Sequence, residues 1–134
     1  MLRTSLTLSA LVFVAACAPV ESGSRPDPAL AGPAVKVIGE AESCINNQRI
    51  RHTRVRSDQV IDFEMSGGDV YRNILPNRCP RLGFEEAFSY QTSINRLCNT
   101  EIIYVLEQTG GGVPRRGAGC GLGDFVPVEY VDDE

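Results

Sequence analysis

The chain has 134 residues, 43% of them hydrophobic, with 13 Gly, 8 Pro, no Trp and a formal net charge of −4. That length fits one domain. The acidic balance argues against nucleic acid as a partner, because a mildly acidic chain is repelled by phosphate.

The chain opens on "MLRTS", a weakly positive start, followed by an apolar stretch from Leu6 to Ala16. A bilayer needs about 20 apolar residues, so the stretch is too short to span one. The small residues Ala15 and Ala16 stand directly before Cys17. This layout is that of a secretory signal over residues 1–16. Val14-Ala15-Ala16-Cys17 resembles the lipobox of bacterial lipoproteins. The resemblance implies diacylglycerol on the Cys17 thiol, cleavage before it, and acylation of the new amino terminus. The membrane is then a partner through those chains, and two or three acyl chains anchor stably where one is marginal. By resemblance to enteric sorting, Ala18 rather than Asp after the lipidated cysteine implies a periplasm-facing protein of the outer membrane rather than the inner one.

Residues 17–39 read as the lipidated terminus and a flexible tether, since residues 18–35 hold four Pro, two Gly and two Ser. Residues 40–128 read as a β domain. "RIRHTRVR" (49–56) is a first strand, and "QVIDFEM" (59–65) a second, with Ile61, Phe63 and Met65 on one face and Asp62 and Glu64 on the other. "SGGD" (66–69) then turns the chain into "VYRNIL" (70–75), giving a hairpin. "EEAFSYQT" (85–92), "EIIYVLE" (101–107) and "DFVPVEY" (124–130) are the remaining strands, and "RLGFEEAF" holds room for a short helix. Pro127 marks the last strand as a sheet edge. Residues 129–134 read as an acidic tail. The expected fold is mainly β: about six antiparallel strands in a curled meander sheet or a small partly closed barrel, stapled by two disulfides.

With Cys17 assigned to lipid, Cys44, Cys79, Cys98 and Cys120 remain, an even number in a chain read as exported. In a simple up-and-down meander, Cys44 and Cys98 lie at one end and Cys79 and Cys120 at the other. Bridged Cα atoms lie within about 7 Å of each other, so cysteines at the same end are the ones that can pair. Cys44–Cys98 with Cys79–Cys120 is the preferred pairing. Cys79–Cys98 with Cys44–Cys120 stays open, because a Greek-key or barrel return allows it. The gaps of 35, 19 and 22 residues lack the close thiolate spacing of a zinc site, so no metal and no cofactor are expected.

Little in the chain points to catalysis. His52 is the only histidine and lies among arginines, and no G-x-S-x-G occurs. Asp62 and Glu64 share a face, the arrangement a carboxylate-pair hydrolase would need, but same-face acids on a strand are most often solvated. "GGGVPRRGAGCGLG" (110–123) has neither G-K-[ST] nor G-x-G-x-x-G before a helix, and reads as a mobile loop closed by a disulfide. Arg49, Arg51, Arg54 and Arg56, with Arg115 and Arg116 in that loop, are the candidate anion-binding residues, for lipid headgroups or glycan carboxylates. In a strand, Arg49 and Arg51 share one face and Arg54 and Arg56 the other. Pairing of the first four with Asp62, Glu64 or Glu101 is the competing use.

"CINNQRIRHTRV", "GGDVYRNILPNRCPRLG", "RLCNTEIIYVLE" and "CGLGDFVPV" together resemble a family of small bacterial envelope proteins built on a domain of unknown function. The likeness implies no activity or ligand, and its Cys, Gly and Pro positions imply structural staples. More loosely, size, anchor and charge resemble the disulfide-bonded lipoproteins that inhibit lysozyme. Those carry a Ser-Gly loop followed by Tyr, where this chain has "SGGDVY" with Ser66, Gly67 and Tyr71 at different spacing. The expected function is a non-enzymatic envelope lipoprotein that binds or scaffolds an envelope protein or glycan. The alternative is an inhibitor of a cell-wall hydrolase.

Overall fold

A computed structural model describes residues 31–132. The expected signal segment 1–16, Cys17, tether residues 18–30 and the last two residues of the acidic tail lie outside the described residues. The described residues form β1 (Val35–Val37), β2 (Cys44–Asn46), β3 (Ile50–Val55), β4 (Val60–Met65), β5 (Val70–Ile74), β6 (Phe88–Tyr90), β7 (Arg96–Cys98), β8 (Ile102–Glu107), β9 (Arg115–Gly121) and β10 (Phe125–Tyr130). A 3-10 turn at Asn47–Arg49 precedes β3, and a short helix, α1 (Leu82–Glu85), precedes β6.

Every pairing is antiparallel. The strands fall into a five-stranded sheet ordered β1-β10-β5-β4-β3, a two-stranded sheet β2-β7 and a three-stranded sheet β6-β8-β9. The mainly β class and both staples are as expected, and the sheets do not close into a barrel. The path is not a six-strand meander. Only β3, β4 and β5 follow one another across the large sheet, and β10 returns to lie against β5.

Alternation along β4 builds the core. Ile61, Phe63 and Met65 face inward, joined by Phe125 from β10, Ile103 and Val105 from β8, Leu97 from β7 and Ile45 from β2. Phe63 meets Phe125 edge-on at 5.5 Å and Phe88 at 6.3 Å, arrangements that favour the ring quadrupoles. Leu82 of α1 is fully buried against the same cluster.

Several boundaries differ from the sequence expectation. Residues 35–37, assigned to the tether, form β1, and β10 runs to Tyr130, so the folded body extends on both sides of 40–128. Pro127 does not mark an edge, because β1 lies beyond β10. The Pro127 carbonyl accepts from Ile38 N–H at 3.0 Å, so its missing donor faces the same side, just where the short β1 ladder stops at Val37–Val128. The Gly-rich segment is not a mobile loop throughout: residues 115–121 form β9, ordered by pairing with β8. There Gly119 lets the Tyr104 ring lie against the strand, where a Cβ would sit 2.9 Å from the ring.

The bridges are Cys44–Cys98 and Cys79–Cys120, the preferred pairing. The geometry behind that preference is different. Cys44 and Cys98 are direct cross-strand partners in the β2-β7 ladder with Cα atoms 4.0 Å apart, and Cys120 sits within β9 rather than in a loop.

Replacing both Cys79 and Cys120 by Ala should lower unfolding free energy by about 4 kcal/mol in urea titrations, the chain-entropy value for a sequence separation of 41. Gly123→Ala should also be destabilising. Its Cβ would collide with the Ile74 carbonyl oxygen, and Gly123 N–H and C=O are both bonded to the buried Asn73 amide at 2.9 and 2.7 Å. The expected loss is about 2 kcal/mol in the same titration, within the usual range for overpacking.

Candidate functional site

The outer face of the five-stranded sheet is polar where the inner face is aromatic. Asp62 of β4 points outward yet has 0% exposure. A buried carboxylate is tolerated only when its lone pairs are filled. Arg72, its cross-strand partner on β5, donates from Nε to Oδ1 at 2.7 Å and from Nη2 to Oδ2 at 2.9 Å, a bidentate pair. Arg56 donates from Nε to Oδ2 at 2.9 Å, and the Tyr130 hydroxyl approaches the same oxygen at 3.3 Å. Arg72 Nη2 also donates to the Pro33 carbonyl at 3.2 Å, so the segment ahead of β1 lies over the cluster.

Glu64, two residues on, repeats the pattern nearer the surface. Its Oε1 accepts from Arg54 Nε at 3.2 Å and lies 3.2 Å from the Tyr130 hydroxyl. Burial pushes the Asp62 carboxyl up, but the bonds and charges of Arg72 and Arg56 outweigh it and hold the group below the usual carboxylate range. Burial pushes the Tyr130 phenol above its ordinary value, so it stays protonated and able to donate at neutral pH.

A groove of about 540 Å³ opens beside Tyr130 at the β4–β5 turn. Arg51 and His52 of β3, Glu64, Asp69 and Val70 line it together with Tyr130. Gly67 and Gly68 form the tip of the turn, both at positive φ, and Ser66 N–H donates to the Arg49 carbonyl at 2.7 Å. A β-bulge borders the groove. Ile50 stands opposite Met65 and His52 opposite the adjacent Glu64, so Arg51 is an extra residue.

The expected arginine cluster therefore divides. Arg54 and Arg56 do share a face and are tied to Glu64 and Asp62. Arg49 and Arg51 do not form a second face, because Arg49 closes the 3-10 turn and Arg51 is the bulge. Arg49 Nη2 donates to the Ser66 carbonyl at 2.9 Å. Arg115 stands opposite Glu107 at the start of β9, and the Arg116 guanidinium lies over the Tyr104 ring at 4.3 Å, so these two are far in sequence and sheet from the first four. Glu101 takes no part in the arginine pairing: it accepts from Cys98 N–H at 3.3 Å.

Sequence reasoning missed Arg72 and Tyr130. The four-residue turn expected at 66–69 would set Asp62 opposite Asn73, whereas the structure pairs Glu64 with Val70 and Asp62 with Arg72, a shift of one residue that hid Arg72. Nothing local to Tyr130 announces its reach to β4. Among the described residues no group of three or more His, Cys, Asp and Glu side chains is placed to hold a metal ion. Among those residues no helix is long and apolar enough to cross a membrane. No protein-family model, curated protein or solved structure matches the chain.

Asp62→Asn should cost about 3–5 kcal/mol, because it leaves two guanidiniums short of a counter-charge at a buried site. The sign of the pH dependence follows from the depressed native value. The Asp62 contribution is fully present above the unfolded carboxylate value, about 3.9, and is lost as pH falls through the lower native one. Urea titrations should therefore show stability falling below about pH 4, and less steeply in Asp62→Asn.

Proposed function

We propose that the chain is an exported bacterial envelope lipoprotein, cleaved ahead of Cys17 and anchored there by acyl chains, whose β body serves as a non-enzymatic binding module. The observation that carries this reading is the cysteine arithmetic. The chain holds five cysteines, and four of them are joined as Cys44–Cys98 and Cys79–Cys120. Such bridges belong to oxidising compartments outside the cytosol. Cys17 is left over at the seam between an apolar run and a Pro-rich segment, where a lipid rather than a sulfur is the partner its surroundings favour. Ala18 supports the outer membrane.

Binding rather than catalysis is supported by how the titratable groups are used. Asp62 is held by Arg56 and Arg72 and Glu64 by Arg54, with the Tyr130 hydroxyl within reach of either, an arrangement that supports a structural and hydrogen-bond-accepting role for both. A second reading, inhibition of a cell-wall hydrolase, is favoured by the exposed Gly67-Gly68-Asp69 tip at the groove mouth.

Mass spectrometry of non-reduced protein from native membranes should show a mature terminus at Cys17 carrying diacylglycerol and an amide-linked chain, with no free thiol. An intact Met1 terminus with four free thiols in the body would sink the proposal. In a lysozyme assay, micromolar protein should leave turnover unchanged. Stoichiometric inhibition would replace the binding-module reading with the inhibitor reading.

A further inference from the structure

We infer that the groove at the β4–β5 turn is a binding site for a sugar that carries a carboxylate, an inference that deepens the binding-module reading and rests on it. The first reason is Arg51. Bulges beside functional sites re-aim a side chain, and this bulge turns Arg51 out of the strand alternation and into the groove wall. Arg49, Arg54 and Arg56 are each tied to an acceptor of the protein, whereas among the described residues no hydrogen bond or ion pair holds the Arg51 guanidinium. A guanidinium free of protein partners presents a fork that matches a carboxylate in two parallel bonds.

The second reason is the pair of acceptors behind it. Glu64 is fixed at the groove by Arg54 and the Tyr130 hydroxyl, and the exposed Asp69 stands at the turn. Ionised carboxylates only accept hydrogen bonds, so they suit hydroxyl or amide N–H donors of a ligand. They also disfavour a compact, doubly charged anion such as phosphate, which would lie near two like charges. Tyr130 and Val70 add aromatic and apolar lining that suits the C–H face of a sugar ring. One carboxylate set apart from several hydroxyls matches this lining, which joins the Arg51 guanidinium, the Glu64 and Asp69 acceptors and an apolar surface. The volume of about 540 Å³ lies within the range of small-molecule sites.

The test is titration of the isotope-labelled full chain in detergent, followed by the amide resonances of Gly67 and Gly68. N-acetylmuramic acid should shift both with a saturable millimolar Kd. N-acetylglucosamine has the same ring without the lactyl carboxylate and should bind at least about tenfold more weakly. Arg51→Ala should reduce the affinity for N-acetylmuramic acid to that of the neutral sugar, and Arg96→Ala, on the β2-β7 sheet, should leave it unchanged. Equal affinity for the two sugars, no saturable shift, or tighter binding of glycerol phosphate as a lipid-headgroup probe would overturn the assignment. Acylation of Cys17 is read separately by mass spectrometry, so an acylated protein that fails this titration loses the groove and keeps the anchor.

Discussion

The Asp62 carboxylate constrains more of this structure than any other group. It is fully buried on a face that would otherwise be solvated, and a buried charge must be matched from every side. Two other strands and the residue that follows a third deliver the match: Arg72 from β5, Tyr130 from β10 and Arg56 just after β3. The segment before β1 closes the set through Pro33, which accepts from Arg72. Such a network is weak evidence for net stability, because desolvation offsets much of the attraction, but removing one member is costly. Its stronger consequence is register. A one-residue slip of β4 would carry Asp62 into the aromatic cluster and put Phe63 among the guanidiniums. The charge therefore selects one alignment of the sheet, and that alignment also brings His52 opposite Glu64 and creates the bulge at Arg51.

The other side of the body is held differently. The β2-β7 ladder is only three residues long on each strand, and an isolated two-stranded ladder is marginal in water. Cys44–Cys98 staples its first pair, and Ile45 and Leu97, both buried, fill its second. Cys79–Cys120 joins the segment after β5 to β9, thus linking the large sheet to the small one. Covalent staples sit where strands are shortest or glycine-rich, and ion pairs sit where strands are longer and the face is polar. Each device stands where the other would be least effective.

Strong local patterns were legible in the sequence, and long-range ones were not. The β4–β5 hairpin could be read because alternation through Ile61, Phe63 and Met65 and a Gly-containing turn agree. β8 could be read from its run of apolar and β-branched residues. β1, β2 and β7 are three residues each, too short for any period to emerge. β9 hides behind three glycines whose strand state comes from pairing with β8 rather than from propensity. The disulfide pairing came out right from a topology that is wrong in detail. Same-end reasoning survives the error because β2 and β7 do bring Cys44 and Cys98 side by side, though as ladder partners. Of the candidate site, the arginines of 49–56 were visible as a group. Their separation into a turn, a bulge and two ion pairs was not, because a bulge leaves no signature in composition.

That separation also bears on the open edge of the five-stranded sheet. β3 ends the five-stranded sheet, and Arg51, His52, Thr53 and Arg54 on it are all exposed. An exposed edge strand is a template for pairing with another chain, and charged side chains and bulges are two of the ways proteins blunt it. β3 has both. The bulge interrupts the ladder at Arg51, and the guanidiniums of two facing copies would repel. The residue that guards the edge is thus the one that borders the groove. A carboxylate bound at Arg51 would neutralise part of that guard, so the proposed ligand and any strand added at this edge would compete for, or be coupled through, one side chain.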